Sequence, residues 1–255
     1  MKIVCFIDTL GPGGAQRQIV GLAIQLKEKG NDVQIIAYHD NPFYAESLSK
    51  AGVPYVFLSK AERVISRFPV FSKYVRRNKP DVVIAYLETP SILACMAKVL
   101  NPSFKLIVSE RNTTQVISRN EKLRFKLFEI ADFVVPNSFS QERFIRDHYP
   151  KLLSKVFAIT NFVDLDYFVP IAHHRREIPE IVIAASIWPP KNTMNFIKSV
   201  ALMKQKGFKF HVSWYGITQL HYGYYEECQR IVEAAGITDY ISLLDKTKEI
   251  KTKYQ

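Results

Sequence analysis

Two α/β domains, each wound around a parallel sheet, are what this sequence predicts, and three observations predict them. Apolar runs of strand length alternate with helix-patterned stretches, the pattern of strand–helix–strand units around a parallel sheet. The first run, residues 2–7, passes into Gly11-Pro12-Gly13-Gly14 and at once into a helix carrying Ala15, Ile19, Leu22, Ala23 and Leu26. The rhythm pauses after Asn161 and restarts at Ile181.

The first domain is assigned to residues 1–168, with strands expected at 2–7, 33–38, 55–57, 82–86, 106–109, 133–136 and 156–160. Each is a short apolar run bounded by Gly, Pro, Asn, Asp or charged residues, and a helical period separates most neighbours. Asn161-Phe162-Val163-Asp164, Tyr167-Phe168-Val169-Pro170 and the polar His173-His174-Arg175-Arg176-Glu177 read as a linker. The second domain, 169–255, restarts with a strand at 181–185 and a loop Trp188-Pro189-Pro190-Lys191-Asn192. A helix follows with Phe196, Ile197, Val200 and Ala201 on its apolar face and Gly207 at its end. A strand at 209–215, a helix at 224–235 and a short strand at 240–243 complete the pattern. The ending 246–253 carries no closing element in this reading.

Of the 255 residues, 47% are hydrophobic and 23% charged, enough apolar material for a real core. The apolar stretch after Met1 is broken by Asp8 and the glycines, too short for a signal peptide, and no later run approaches the ~20 apolar residues of a spanning helix. A cytoplasmic protein is expected. Cys5, Cys95 and Cys228 are odd in number and far apart, which fits reduced structural thiols. With 35 Lys and Arg against 24 Asp and Glu, the net charge of +11 favours polyanions or an anionic membrane. Part of the excess is local: Arg63, Arg67, Lys73, Arg76, Arg77 and Lys79 crowd one segment. Arg119, Lys122 and Lys126 form a stripe on one helix face, read as a solvated surface or as a dock for acidic lipid headgroups.

Four stretches carry a resemblance to a known family. Gly11 to Arg17, Gly-Pro-Gly-Gly-Ala-Gln-Arg, resembles the glycine loop of the retaining GT-B glycosyltransferases called family four. Ser109-Glu110-Arg111-Asn112 resembles that family's segment facing the cleft. Asn161-Phe162-Val163-Asp164 with Phe168-Val169-Pro170 resembles its passage into the second domain. Ala185-Ser186-Ile187-Trp188-Pro189-Pro190-Lys191-Asn192 resembles its phosphate-gripping loop, with Ser186 where the family usually has Arg. The resemblance implies two Rossmann-like parallel-sheet domains of GT-B type, the first on the acceptor side and the second holding a nucleotide-sugar. It also implies an acidic motif with two glutamates beyond the third strand of the second domain. The chain has no counterpart, so that domain is expected to be incomplete.

The implied chemistry is sugar transfer from a nucleotide-sugar to a glycan or lipid-linked acceptor in bacterial surface polysaccharide synthesis, at the inner face of the membrane. Negative charge grows on the diphosphate as its bond to the sugar breaks, so stabilising that leaving group is the main electrostatic task. The donor side is assigned to Gly13, Gly14, Ser186, Lys191 and Asn192, where bare amides at helix N-termini and one ammonium can meet phosphate. Glu110 and Arg111 are assigned to the acceptor hydroxyl, against the reading that they form a surface ion pair. Gly13 and Gly14 also fit a tight turn or close helix packing, Lys191 a solvated side chain, and Asp164 a turn or cap. No cofactor beyond the donor and no metal is expected, since there is no Asp-x-Asp pair and no zinc-ligand spacing of histidines.

Other classes fit less well. A dinucleotide oxidoreductase needs Gly or Ala where Gln16 stands, and Asp40 alone speaks for it. No Gly-Lys-Ser/Thr follows the glycines, which argues against a P-loop. No nucleic-acid-reading motif accompanies the basic charge. The non-enzymatic alternative is a catalytically inactive basic α/β module that binds a partner, a glycan or a membrane surface.

Overall fold

Strands β1 (Lys2–Phe6), β2 (Asp32–Ala37), β3 (Tyr55–Phe57), β4 (Val82–Tyr86), β5 (Lys105–Ser109) and β6 (Phe133–Val134) form one parallel sheet in the order β3-β2-β1-β4-β5-β6. This is a computed structural model, and it describes residues 1–58, 64–112, 116–170, 177–217, 219–247 and 249–254. Each crossover is helical: α1 (Gly14–Glu28), α2 (Ala45–Lys50), α3 (Val64–Asn78), α4 (Glu88–Leu100) and α5 (Arg119–Phe128), with α6 (Phe139–His148) after β6. Central strands are apolar on both faces because both faces are covered. Val4, Phe6, Val83, Ala85, Leu106 and Val108 point to the layer of α3, α4 and α5. Ile3, Cys5, Ile7, Val33 and Ile35 point to α1 and the buried Leu48 of α2.

The chain divides into two compact units, Met1–Phe162 and Val163–Gln255. This division lies a few residues before the boundary expected from sequence at 168, because Phe162 is fastened to the first unit. Its backbone N–H donates to Gln18 Oε1 at 3.0 Å and its carbonyl accepts from Gln18 Nε2 at 2.9 Å. Its ring lies so close over Gly21 that a Cβ there would come within 2.2 Å.

In the second unit, β7 (Glu180–Ala184), β8 (His211–Ile217) and β9 (Ile241–Asp245) form a parallel sheet in that order. Helices α7 (Thr193–Gln205) and α8 (Tyr222–Ala234) supply the crossovers, and Ile197, Val200, Cys228 and Val232 meet Val212 and Trp214 in its core.

Two expectations are corrected. The strand expected at 156–160 is not a full strand but runs beside β6: Val156 bridges Val134, and the Phe157 and Ile159 N–H groups donate to the Val134 and Pro136 carbonyls at 3.3 and 3.0 Å, with both side chains exposed. The expected ending without a closing element holds a one-turn helix, α9 (Ile250–Lys253). Within the basic segment 63–79, Arg67 is buried, with its guanidinium carbon 5.0 Å from the centre of the Tyr38 ring. Arg63, His173, His174, Arg175, Arg176 and Lys248 lie outside the described residues. The three cysteines are buried and unpaired, and burial pushes the Cys5 and Cys95 thiols up to about 12.

Candidate functional site

The strand order of the first unit reverses between β1 and β4, and ligands of such sheets bind in the crevice that this switch point opens at the carboxyl ends of the strands. The loop with Gly13 and Gly14 leaves β1 there. Gly13 is the N-cap of α1 in extended backbone, with no side-chain cap and no acidic residue in the first turn. A Cβ at Gly14 would enter open space, and one at Gly13 would meet only the movable end of Gln16. Close packing does not explain these glycines. The Gly13 N–H meets the Tyr44 hydroxyl, and the amides that open α1 after it have no side-chain cap, beside the exposed Arg17.

On the other side of the switch point, β4 ends in Tyr86, and Leu87 turns the chain into α4 at φ 72°, ψ 169°. That region is sparsely populated for any side chain and costs of order 1–3 kcal/mol. Arg111, after β5, lays its guanidinium over the Tyr86 ring, 4.0 Å from its centre, and donates from Nη1 to Asn161 Oδ1 at 2.8 Å. Burial pulls the Arg111 pKa down. Asn161 and Phe162 therefore run from Arg111 at β5 to Gln18 on α1, along the crevice rim.

Glu110 and Arg111 do not pair with each other, which corrects the surface ion-pair reading. Glu110 is 4% exposed; its Oε1 accepts the Asn112 N–H at 3.1 Å, and its Oε2 lies 3.6 Å from Arg124 Nη1. Burial raises its carboxyl above the usual range, while Arg124 and the Asn112 amide pull it back. Arg124, itself 3% exposed, also reaches Glu121 at 3.2 Å and Glu88 at 3.7 Å. Sequence reasoning missed this arginine. The available signal was an Arg on the apolar side of α5, next to Phe125 and three residues after Glu121.

In the second unit the loop after β7 is held against the end of β8. The Ile187 N–H donates to the Gly216 carbonyl at 3.0 Å, the Trp214 Nε1–H donates to the Ala185 carbonyl at 2.7 Å, and Trp188 stacks on His221 with ring centres 4.8 Å apart. Gly216 sits where the β8–β9 register shifts, and a Cβ on it would come within 1.7 Å of the Ala185 oxygen. Ser186 passes beside it, half-buried. A 3-10 turn, Pro189–Lys191, then delivers Asn192 in the left-handed region, φ 58°, ψ 32°, as the N-cap of α7. The Asn192 side chain accepts from Asn195 Nδ2, not from the helix backbone, and the first turn has no acidic residue. Lys191 is exposed and meets no carboxylate among the described residues. Thr193, fully buried at the start of α7, has a hydroxyl without a hydrogen-bond partner there.

Helices α5 and α6 show what this sequence does when it seals a helix start. Ser118 and Ser138 accept the N–H groups of Glu121 and Gln141, and Glu121 and Glu142 follow in the first turns. The starts of α1 and α7 lack both devices. Both α1 and α7 follow the first strand of their unit, and α8 in the second unit also starts with neither device. Asp164 accepts the Asp166 and Tyr167 N–H groups, as a turn former does.

Two α/β units, each built on a parallel sheet, give the architecture of the GT-B glycosyltransferases. Residues 12–167 match the family described as Glycosyltransferase Family 4, and the chain belongs to that family. It is similar to a protein of Campylobacter jejuni named GalNAc-alpha-(1->4)-GalNAc-alpha-(1->3)-diNAcBac-PP-undecaprenol alpha-1,4-N-acetyl-D-galactosaminyltransferase. The two are 24% identical over 267 residues, spanning 100% of this chain and 70% of the relative. A second C. jejuni relative, N-acetylgalactosamine-N,N'-diacetylbacillosaminyl-diphospho-undecaprenol 4-alpha-N-acetylgalactosaminyltransferase, is 25% identical over 65% of this chain and 49% of its own length. Among solved structures, HepE of Anabaena in complex with UDP and glucose superposes with a TM-score of 0.79 at 15% identity, covering 99% of this chain and 71% of that one. A glycosyltransferase of Rickettsia africae gives 0.78 at 16% identity, covering 99% and 70%.

Proposed function

We propose that this chain transfers a sugar, with retention, from a nucleoside-diphosphate sugar to a lipid-diphosphate-linked glycan in the synthesis of a bacterial surface polysaccharide. The observation that carries the donor half is the loop 185–192: an exposed lysine and an unsealed helix start at the carboxyl end of the second sheet. The acceptor half is supported by the relatives, whose names carry diphosphate-linked undecaprenol.

During transfer the bond between the sugar C1 and the diphosphate oxygen breaks, the electron pair stays on the diphosphate, and an acceptor hydroxyl oxygen bonds to C1 as its proton passes to the departing diphosphate oxygen. Lys191 and the amides after Asn192 stabilise the departing diphosphate, with Ser186 adding one hydrogen bond. Gly14 offers its amide to an anionic group in the first unit, with Gly13 placing the loop and its own N–H on the Tyr44 hydroxyl. Arg111, fixed by Tyr86 and Asn161, orients the acceptor. Glu110 holds the Asn112 amide and faces Arg124, and in this reading it acts as a positioning residue. Peripheral contact with an anionic membrane at its cytoplasmic side follows from the lipid-borne acceptor and the net charge of +11.

The test is incubation with UDP-sugars, GDP-sugars and an undecaprenyl-diphosphate-linked glycan, followed by mass spectrometry. A product one sugar heavier, with release of one nucleoside diphosphate, is expected. Nucleotide binding without any product, across donors and acceptors, would contradict transfer by this chain.

A further inference from the structure

We propose that the outer helical layer of the first unit is a docking face for an anionic lipid bilayer. Helices α3, α4 and α5 cover the same face of the sheet, with α4 packed against both of the others. The central helix turns an aliphatic row outward: Met96, Val99 and Leu100, the last two 62% and 66% exposed. On one side of it α3 exposes Lys73, Arg76 and Arg77. On the other, α5 exposes Arg119, Lys122 and Lys126, with Leu123 among them.

The carboxylates of the layer are taken up by neighbouring cations, Glu88 while still about half exposed. Glu88 and Glu121 lean on the buried Arg124, and Asp132 is held by Lys98 and Lys105 at 2.7 and 3.0 Å. What remains outward is an aliphatic row between two rows of cations. That is the chemistry of a bilayer surface: methyl and methylene groups enter the acyl boundary while lysine and arginine meet headgroup phosphates. A second copy of this chain on the same face would press like charges together. A nucleic acid would gain nothing from the aliphatic row, which offers no ring for stacking. The face locates the membrane contact of the proposed function and rests on that reading.

The experiment is cosedimentation of the whole chain with vesicles of phosphatidylcholine alone and of phosphatidylcholine mixed with phosphatidylglycerol. Lys122→Glu with Lys126→Glu tests the cations, and Val99→Gln with Leu100→Gln tests the aliphatic row. Lys27→Glu with Lys29→Glu, at the end of α1 on the opposite sheet face, is the charge-matched control. The wild type is expected to bind only the anionic vesicles. The lysine pair should weaken partitioning by roughly tenfold or more, the aliphatic pair should weaken it severalfold, and the control should stay near wild type. No preference for anionic vesicles, or equal losses in face and control variants, would overturn the proposal. So would a concentration-dependent dimer that the aliphatic pair abolishes, which would make the face a contact between copies. UDP titration of the same variants separates the two readings. UDP binding with lipid binding indifferent to the face overturns the face alone, and lipid binding that depends on the face without any UDP binding overturns the donor reading alone.

Discussion

Arg124 and Glu110 are both shut away from water, and Arg124 also reaches the more exposed Glu121 and Glu88, so its removal leaves Glu110 buried without its cation and the other two without theirs. Breaking a buried pair in this way costs about 3–5 kcal/mol, and Arg124→Met should lower unfolding stability by that amount at neutral pH. The sign of its pH dependence is fixed by Glu110. Burial already raises that carboxyl, Arg124 is the strongest influence lowering it, and the variant raises it further. The folded state then binds more protons than the unfolded one, so stability rises as pH falls from 7 towards 5. Denaturant midpoints at the two pH values check this; an equal loss at both would contradict it. Glu110 and Arg111 were legible in the sequence as charged residues at a strand end. Their partners were not, because Arg124, Tyr86 and Asn161 lie far along the chain and only the fold brings them near. The helix pattern singled out Arg119, Lys122 and Lys126, which share the exposed side of α5, and passed over the arginine on its buried side.

Strands and helices were the most legible level, since central parallel strands are unbroken apolar runs and amphipathic helices keep their period. The 156–160 stretch falls short of a full strand because its partner β6 is only two residues long, although the Phe157 and Ile159 N–H groups still donate to the Val134 and Pro136 carbonyls. What the pattern could not show is how loops are fastened. Gly216 reads as an ordinary glycine after a strand, yet it admits the Ala185 carbonyl where no side chain fits. Gly216→Ala should cost about 1–3 kcal/mol or more by overpacking and displace the loop that carries Lys191, weakening nucleotide binding as well. Thermal unfolding and nucleotide titration measure both. At the start of β5, burial would raise the Asp132 carboxyl, but Lys98, the Leu106 amide and Lys105 together hold it at about 2. Its contribution is present above the ordinary carboxylate range near pH 4 and disappears as pH falls through about 2. Asp132→Asn should therefore cost about 1–2 kcal/mol at pH 7, allowing for solvent screening of a partly exposed pair, and almost nothing near pH 2. An equal loss at both pH values would contradict it.

At the scale of the molecule, two parallel sheets of six and three strands each present loops at their carboxyl ends, and family membership ties them to glycosyl transfer. The two-domain α/β class was visible from alternation and from the pause after Asn161. The division itself depends on Gln18 and Gly21 gripping Phe162, which no local pattern discloses. The central claim is that the second unit holds a nucleotide diphosphate on Lys191 and the open start of α7. The measurement that tests it most directly is calorimetric titration of the folded chain and of Lys191→Ala with UDP, GDP and their sugars. Saturable binding of one base, weakened roughly tenfold or more in the variant by loss of a charge-assisted hydrogen bond while its thermal midpoint stays unchanged, is the predicted result. Equal affinity in both proteins, or no binding by a folded wild type, would contradict it.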